Sequence, residues 1–252
     1  MNDLLTYQVI KPEAALDAYV EIFWQLENHS DTGKEIIVVP DGRVDLFVSH
    51  SADQGFHLTL SGLESEAECV IFEAKTLIFA VSFKLPAVEY MLHQSISSLL
   101  NGISVLPVNF WGFDEADLLD FEAFCSKASA VLLEMIRDTQ PDPRKHQLFD
   151  LIYSSNGEVT VKELAEKVNW SERQINRYFN GQFGIPLKSY LNILRFRASF
   201  SQIKEGKLFP EQNFTDQAHF IKEVKKFSGV TPKDLHRNTN DRFIQFSTLS
   251  NK

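Results

Sequence analysis

Residues 160–197, TVKELAEKVNWSERQINRYFNGQFGIPLKSYLNILRFR, constrain the fold more tightly than any other stretch of this chain. Thr160 and Glu163 have the S/T-x-x-E spacing of a capping box, in which side chains satisfy the orphan amides of a helix start. Val161, Leu164, Ala165 and Val168 recur at helical spacing, so one face is apolar. The phase breaks at Asn169 and Trp170. Ser171 and Gln174 form a second box, and Ile175, Tyr178 and Phe179 begin a new apolar stripe. Two short helices that restart after a tight turn cannot be collinear, so their apolar faces meet steeply and the second helix projects. The spacing predicts helices over 161–168 and 172–183, with Pro186 opening a third in its first turn.

The outward face of the second helix carries Glu172, Arg173, Gln174, Asn176 and Arg177. Long hydrogen-bonding side chains of this kind read base edges and grip phosphates in a major groove. The string S-x-R-x-I-x-R-x-F from Ser171 to Phe179 is followed by Phe183-Gly184-Ile185-Pro186, Tyr190-Leu191 and Arg195-x-Arg197-Ala198. Further on come residues 214–222 (FTDQAHFIK) and 226–232 (KFSGVTP). Together these motifs resemble the AraC/XylS family of transcription regulators, over residues 145–238. The resemblance implies a C-terminal all-α domain with two helix-turn-helix units joined by a linker helix. It also implies promoter DNA as partner, read in successive major grooves.

Composition fits such a chain once its distribution is considered. The net charge is −9, which by itself argues against nucleic acid. Yet residues 1–140 hold 7 Lys+Arg and 22 Asp+Glu, whereas residues 158–238 hold 14 and 9. The basic module can meet phosphate while the acidic one stays off it. No apolar run is long enough to span a membrane, and the first residues, MNDLLTYQVIKPEAALD, do not read as a secretory signal. Cys69 and Cys125 are far apart, as expected of reduced thiols. A cytoplasmic protein without a membrane partner is expected.

Two prolines within the polar stretch 139–144 place the domain boundary there, giving domains 1–140 and 141–252. Upstream, residues 35–39 are a β-branched run closed by Pro40-Asp41-Gly42, and 44–48 read as the return strand. Residues 56–60, 70–72 and 77–83 are further strands, and 114–138 has helical periodicity. The expected fold class is therefore α+β with two domains: an antiparallel β barrel or sandwich with helices, then the all-α domain. Residues 19–24, 39–46 and 79–86 resemble the cupin-like domain attached to some AraC-type regulators. That resemblance implies a regulatory or dimerising half, with a small-molecule effector, a homodimer and RNA polymerase as open partners.

For the first reading head the candidates are Ser171, Glu172, Arg173, Gln174, Asn176 and Arg177, with Ser171 also a cap. For the second they are Asp216, Gln217, His219, Lys222, Lys225 and Lys226, with Thr215 as N-cap. The resemblance is imperfect between them. The stretch 206–214 is short and holds Pro210, so the second scaffold helix must be truncated or replaced by a loop, with Asn213 where the family has glycine. Lysines on the second helix then serve to hold the backbone. No phosphate loop, nucleophile elbow or clustered His/carboxylate set is present, so no enzyme, catalytic residue, cofactor or metal is expected. Trp24, Trp111 and the N-terminal Phe residues are candidates either for ordinary core or for an apolar ligand pocket. The helix over 114–138 packs either on its own barrel or on a second copy. Two rival readings stay open: a non-specific or degenerate DNA-binding or interaction protein, and a barrel enzyme with a DNA-binding tail.

Overall fold

The computed structural model describes residues 5–210, 214 and 216–247. The first half is built from β1 (Leu5–Ile10), β2 (Val20–Asn28), β3 (Lys34–Val38), β4 (Val44–Ser51), β5 (Gly55–Ser61), β6 (Glu68–Phe72) and β7 (Leu77–Phe83). A short helix α1 (Pro86–Tyr90), strand β8 (Ile103–Val105) and helix α2 (Phe121–Ile136) complete it. One antiparallel sheet has the order β1-β2-β7-β4-β5-β8, and β3 pairs with β6 in a second. No helix among the described residues is long and apolar enough to cross a membrane.

Period-two alternation gives the large sheet two different faces. Phe23, Leu46, Val48, Phe79, Val81 and Phe83 point to one side and are buried in the main core. There Phe79 meets Phe121 and Phe124 of α2 at ring separations of 5.1 and 5.5 Å. The alternate residues Trp24, Leu26, Asp45, Phe47, Ile78 and Ser82 line a cavity on the other side, covered by β3 and β6.

Two expectations need correction. Residues 44–48 do not return against 35–39: β4 pairs with β5 and β7, while β3 pairs with β6. The turn at Pro40-Asp41-Gly42 instead carries the chain from one sheet to the other. Gly42 sits at φ +78°, where a Cβ would meet Leu194 and Tyr190 at 3.0 and 3.2 Å. Nor is 114–138 one helix. Residues Glu115–Leu119 form a 3₁₀ turn, Asp120 is extended, and its side chain caps α2 by accepting from the Ala123 amide at 2.9 Å. The apolar face of α2 is covered by the chain's own sheet.

The second half is helical: α3 (Pro143–Ser154), α4 (Val161–Val168), α5 (Glu172–Phe183), α6 (Leu187–Ala198), α7 (Phe200–Lys204), α8 (Gln217–Ser228), α9 (Pro232–Arg237) and α10 (Ile244–Ser247). Pro143 opens α3 rather than blocking a helix, because the first turn needs no amide from it. Pro186 is one residue earlier than expected, at the N-cap of α6. The main core runs without interruption from the sheet through Phe149, Phe179, Phe183 and Tyr190 to Phe227 and Phe246.

Candidate nucleic-acid interface and effector cavity

Both predicted capping boxes form. Thr160 Oγ1 accepts from the Glu163 amide at 3.2 Å, and the Glu163 carboxylate accepts from the Thr160 amide at 2.8 Å. Ser171 and Gln174 repeat the pair at 3.2 and 2.8 Å. Between them Asn169 takes a left-handed conformation, φ +53°, a backbone region that Asn tolerates better than most residues. Helix α4 thus ends and α5 restarts in a new direction. Trp170 fills the corner, under the Arg144 guanidinium at 5.3 Å and edge-on to Tyr178 at 5.8 Å.

Helix α5 buries Ile175, Phe179 and Phe183 and exposes Ser171, Glu172, Arg173, Gln174 and Arg177. Arg173 and Arg177 have no hydrogen-bond or ion-pair partner among the described residues. The other candidates are occupied to different degrees. Gln174 spends its carbonyl oxygen on the capping box. Asn176 is half-buried and structural: its Nδ2 donates to the Glu172 carbonyl at 3.1 Å, and its Oδ1 accepts from the Leu187 amide at 3.3 Å.

In the second unit α7 is only five residues long, and the described residues between it and Asp216 contain no helix. Asn213 and Thr215 lie outside the described residues. The cap of α8 is Asp216, which accepts from the His219 amide at 2.8 Å, so the candidate Asp216 is engaged in the backbone. His219 is half-buried, its ring 5.8 Å from that of Phe214. Gln217, Lys222, Lys225 and Lys226 are exposed, and Lys226 also lies over the Phe227 ring at 4.7 Å.

The helical half is held to the sheet half at several points. Lys145 and Glu89 form an ion pair, and Tyr178 donates to Glu89 at 3.0 Å. The Leu85 amide donates to Tyr153 Oη at 2.9 Å. Tyr153 lies 3.2 Å from Tyr190 Oη, which donates to the Gly42 carbonyl at 3.0 Å. The C-terminal end of α5 is fixed where the Ile96 amide donates to the Gln182 carbonyl at 2.9 Å and Ser95 Oγ to that of Gly181 at 2.6 Å. A last tie runs along β3. The Ile37 amide donates to the Arg242 carbonyl at 2.6 Å, and Gln245 makes both hydrogen bonds to the Val39 backbone.

The cavity between the sheets measures about 740 Å³. Of the two candidate tryptophans, Trp24 lines it and Trp111 does not: Trp111 packs edge-on against Phe83, on the opposite face of the large sheet, at 6.1 Å. Much of its lining is apolar. Glu21, Asp41, Arg43, Asp45, Glu64, Lys84 and Arg197 also line it and lie close enough to pair with or act on one another. The register of β2 slips between Val20 and Ile22, and both Glu21 and Ile22 line the cavity. Arg197 of α6 pairs with Glu21, and Arg43 with Asp41 at 2.9 Å. Burial works against the Arg197 charge, but Glu21 and Asp41 outweigh it and hold its pKa above the usual range. Burial likewise opposes the Glu21 charge, and Arg197, Arg43 and Lys84 overcome it and lower that pKa. Asp45 is pushed up to about 6 by burial and the nearby Asp41, against the pull of Arg43 and a short hydrogen bond from Ser82. Burial, then Asp41 and Asp45, raise Glu64 well above the ordinary carboxylate range. The one clue in the sequence was Asp45 itself, a charge at an alternate position of the otherwise apolar strand V-D-L-F-V.

The class defined by these features is a two-domain α+β chain: a two-sheet antiparallel domain followed by a helical domain that opens with a helix-turn-helix. Residues 8–104 match a family described as a domain of unknown function, DUF6597. No curated protein matches the chain. Among solved structures, the C-terminal domain of the two-component response regulator yesN from Fusobacterium nucleatum is 24% identical. It covers 38% of this chain and 99% of its own, with a TM-score of 0.33. ToxT from Vibrio cholerae is 11% identical over 92% of this chain and 97% of its own, with a TM-score of 0.46. ToxT bound to (E)-4-(8-methylnaphthalen-1-yl)but-3-enoic acid gives 10%, 92%, 98% and 0.43.

Proposed function

We propose that this protein is a sequence-specific, DNA-binding transcription regulator of AraC type that acts in the cytoplasm and is not an enzyme. Residues 1–140 form its acidic regulatory half and 141–252 its DNA-binding half. The observation that carries the reading is α5. Its inner face is locked by Ile175, Phe179 and Phe183, while Arg173 and Arg177 stand exposed and unpaired on the outer face. Two unpaired guanidinium groups on a rigid, capped helix are suited to bidentate contacts with guanine or to phosphate. Lys222, Lys225 and Lys226 on α8 add backbone contacts from a second head. The cavity between the sheets is the effector site. Because Tyr153, Leu194, Arg197 and Gln245 of the helical half line it, an occupant that favours one arrangement of the halves shifts how the heads are presented.

A titration of the full-length protein against its own upstream DNA and a scrambled control, over a salt series, tests this reading. A preference of about a hundredfold or more with a steep salt slope is expected. Equal affinity for both DNAs, there and on other genomic targets, favours a second reading: an interaction protein whose DNA binding is non-specific. That reading draws support from the short α7 and from the lack of a helix among the described residues between it and Asp216.

A further inference from the structure

The cavity has more carboxylates than cations to match them. Arg43 is taken by Asp41, Arg197 by Glu21, and Lys84 by Asp17 at 3.3 Å and Glu21 at 3.9 Å. That leaves Asp45, Glu64 and Glu68, of which Glu68 is exposed to solvent and the other two are not. One oxygen of Asp45 accepts from Ser82 Oγ, which itself accepts from Trp24 Nε1 at 2.9 Å, and among the described residues no ion pair reaches Asp45. Glu64 is half-buried, lines the cavity, and has no side-chain partner among the described residues. Among the described residues no three His, Cys, Asp or Glu side chains converge to hold a metal ion, so a metal does not account for the surplus.

The same cavity has an apolar wall formed by Trp24, Leu26, Ile36, Phe47, Phe72 and Ile244. A ligand seated here has an apolar body against that wall and hydrogen-bond donors toward the carboxylates. Burial and neighbouring carboxylates disfavour the charged forms of Asp45 and Glu64, and a cation beside them reverses that: a protonated nitrogen bearing N–H donates to both and offsets their repulsion. Trp24 and Phe47, edge-to-face at 5.8 Å, offer it aromatic surface as well. We infer that the cavity is a receptor for an organic ammonium ion, an amine with a hydrophobic alkyl or aryl body, held by Asp45 and Glu64.

The inference rests on the reading above only in taking the cavity as an effector site, and it is tested without DNA. Phenylbutylamine, phenylbutanol and phenylbutyrate share one apolar body and differ in charge. Each is titrated calorimetrically into the full-length protein, and into Asp45→Asn and Glu64→Gln, near pH 8. Phenylbutylamine is expected to bind at least about tenfold more tightly than the other two, and either substitution is expected to weaken it about tenfold or more. Tighter binding of phenylbutyrate overturns the inference, since the Arg43, Lys84 and Arg197 side chains would then set the ligand class. So does unchanged amine affinity in both variants, or no amine binding up to about 10 mM.

A measurement on the unaltered protein guards against misfolded variants. Amine affinity should fall as pH drops through about 6, where Asp45 takes up its proton, while phenylbutanol affinity stays level. The other charged groups facing this site are Glu21, Asp41, Glu68, Arg43, Lys84 and Arg197, and the flat phenylbutanol profile controls for their effect on the fold. Parallel profiles for the two compounds overturn the assignment. If the amine binds and the protein has no DNA preference, the receptor stands and the regulator reading falls.

Discussion

At the scale of single residues, helices α5 and α8 of the helical half make different demands on their side chains. Arg173 projects unpaired from the capped end of α5, whereas Lys225 sits in the last turn of α8. Arg173→Ala is expected to cost about 1–3 kcal/mol on the preferred sequence and little on a scrambled one. Lys225→Ala is expected to weaken all sequences alike and to shallow the salt slope by about one unit. Binding isotherms of both variants on both DNAs separate the roles, and identical behaviour removes the base-reading role of α5. The cavity residues carry a second prediction. A carboxyl whose pKa is raised on folding binds its proton more tightly in the folded state, so its favourable contribution is complete at low pH. For Asp45 that contribution is lost as pH rises through about 6. Asp45→Asn should therefore gain stability relative to the parent between about pH 4 and pH 7, by on the order of 1–3 kcal/mol. Urea denaturation across that range checks it, and a constant difference between the two proteins would place Asp45 in an unstrained site. The arginines were legible in the sequence because an amphipathic helix exposes its polar face whatever lies beneath. Asp45 and Glu64 were not, because their chemistry depends on which strands lie opposite them.

At the scale of elements, the helix starts follow from local chemistry. The Thr160 and Ser171 boxes close over four residues each, and no distant part of the chain is needed to form them. Replacing Ser171 by Ala is expected to cost about 1 kcal/mol of stability, read from the denaturation midpoint. Asn176 is a sharper case. It lies on the polar side of α5 and reads as a base contact, yet its side chain joins α5 to the start of α6. Asn176→Ala should lower stability by about 1–2 kcal/mol while leaving the ratio of cognate to scrambled DNA affinity unchanged. A collapsed ratio with intact stability would return Asn176 to the reading head. Strand identity was legible from alternation and turn residues, but pairing was not. Residues 35–38 and 44–48 are both strands, and the turn between them is real, but it changes sheets, and Tyr190 and Leu194 of the helical half pack against Gly42 within it.

At the scale of the whole molecule, the two halves share one buried core and a set of hydrogen bonds that cross between them. They are therefore expected to unfold together, as a single calorimetric transition with equal van't Hoff and calorimetric enthalpies. Two resolved transitions would mean that the contacts at Glu89, Gly42 and Val39 are weak. Gly184 ties this coupling to one atom. It ends α5 at φ +81°, and a Cβ there would stand 2.7 Å from the Ser97 carbonyl oxygen. Gly184→Ala should loosen the grip of the sheet half on α5 and lower the melting temperature by several degrees.

By itself the sequence determined the elements with short-range causes: the two capped helices, the positive outer face of α5, and the five strands β3 to β7. Each depends on residues within a turn or a pleat of one another, and that information is present in any window of the chain. Tertiary structure alone decided which strands pair, that Asp120 breaks the helix before α2, and that Asp216 and Asn176 serve the backbone. It also decided that Asp45, Glu64 and Trp24 share a cavity with Arg197. Those outcomes are set by burial and by charges brought together from distant positions, and a carboxylate meets its field only when the sheets close around it.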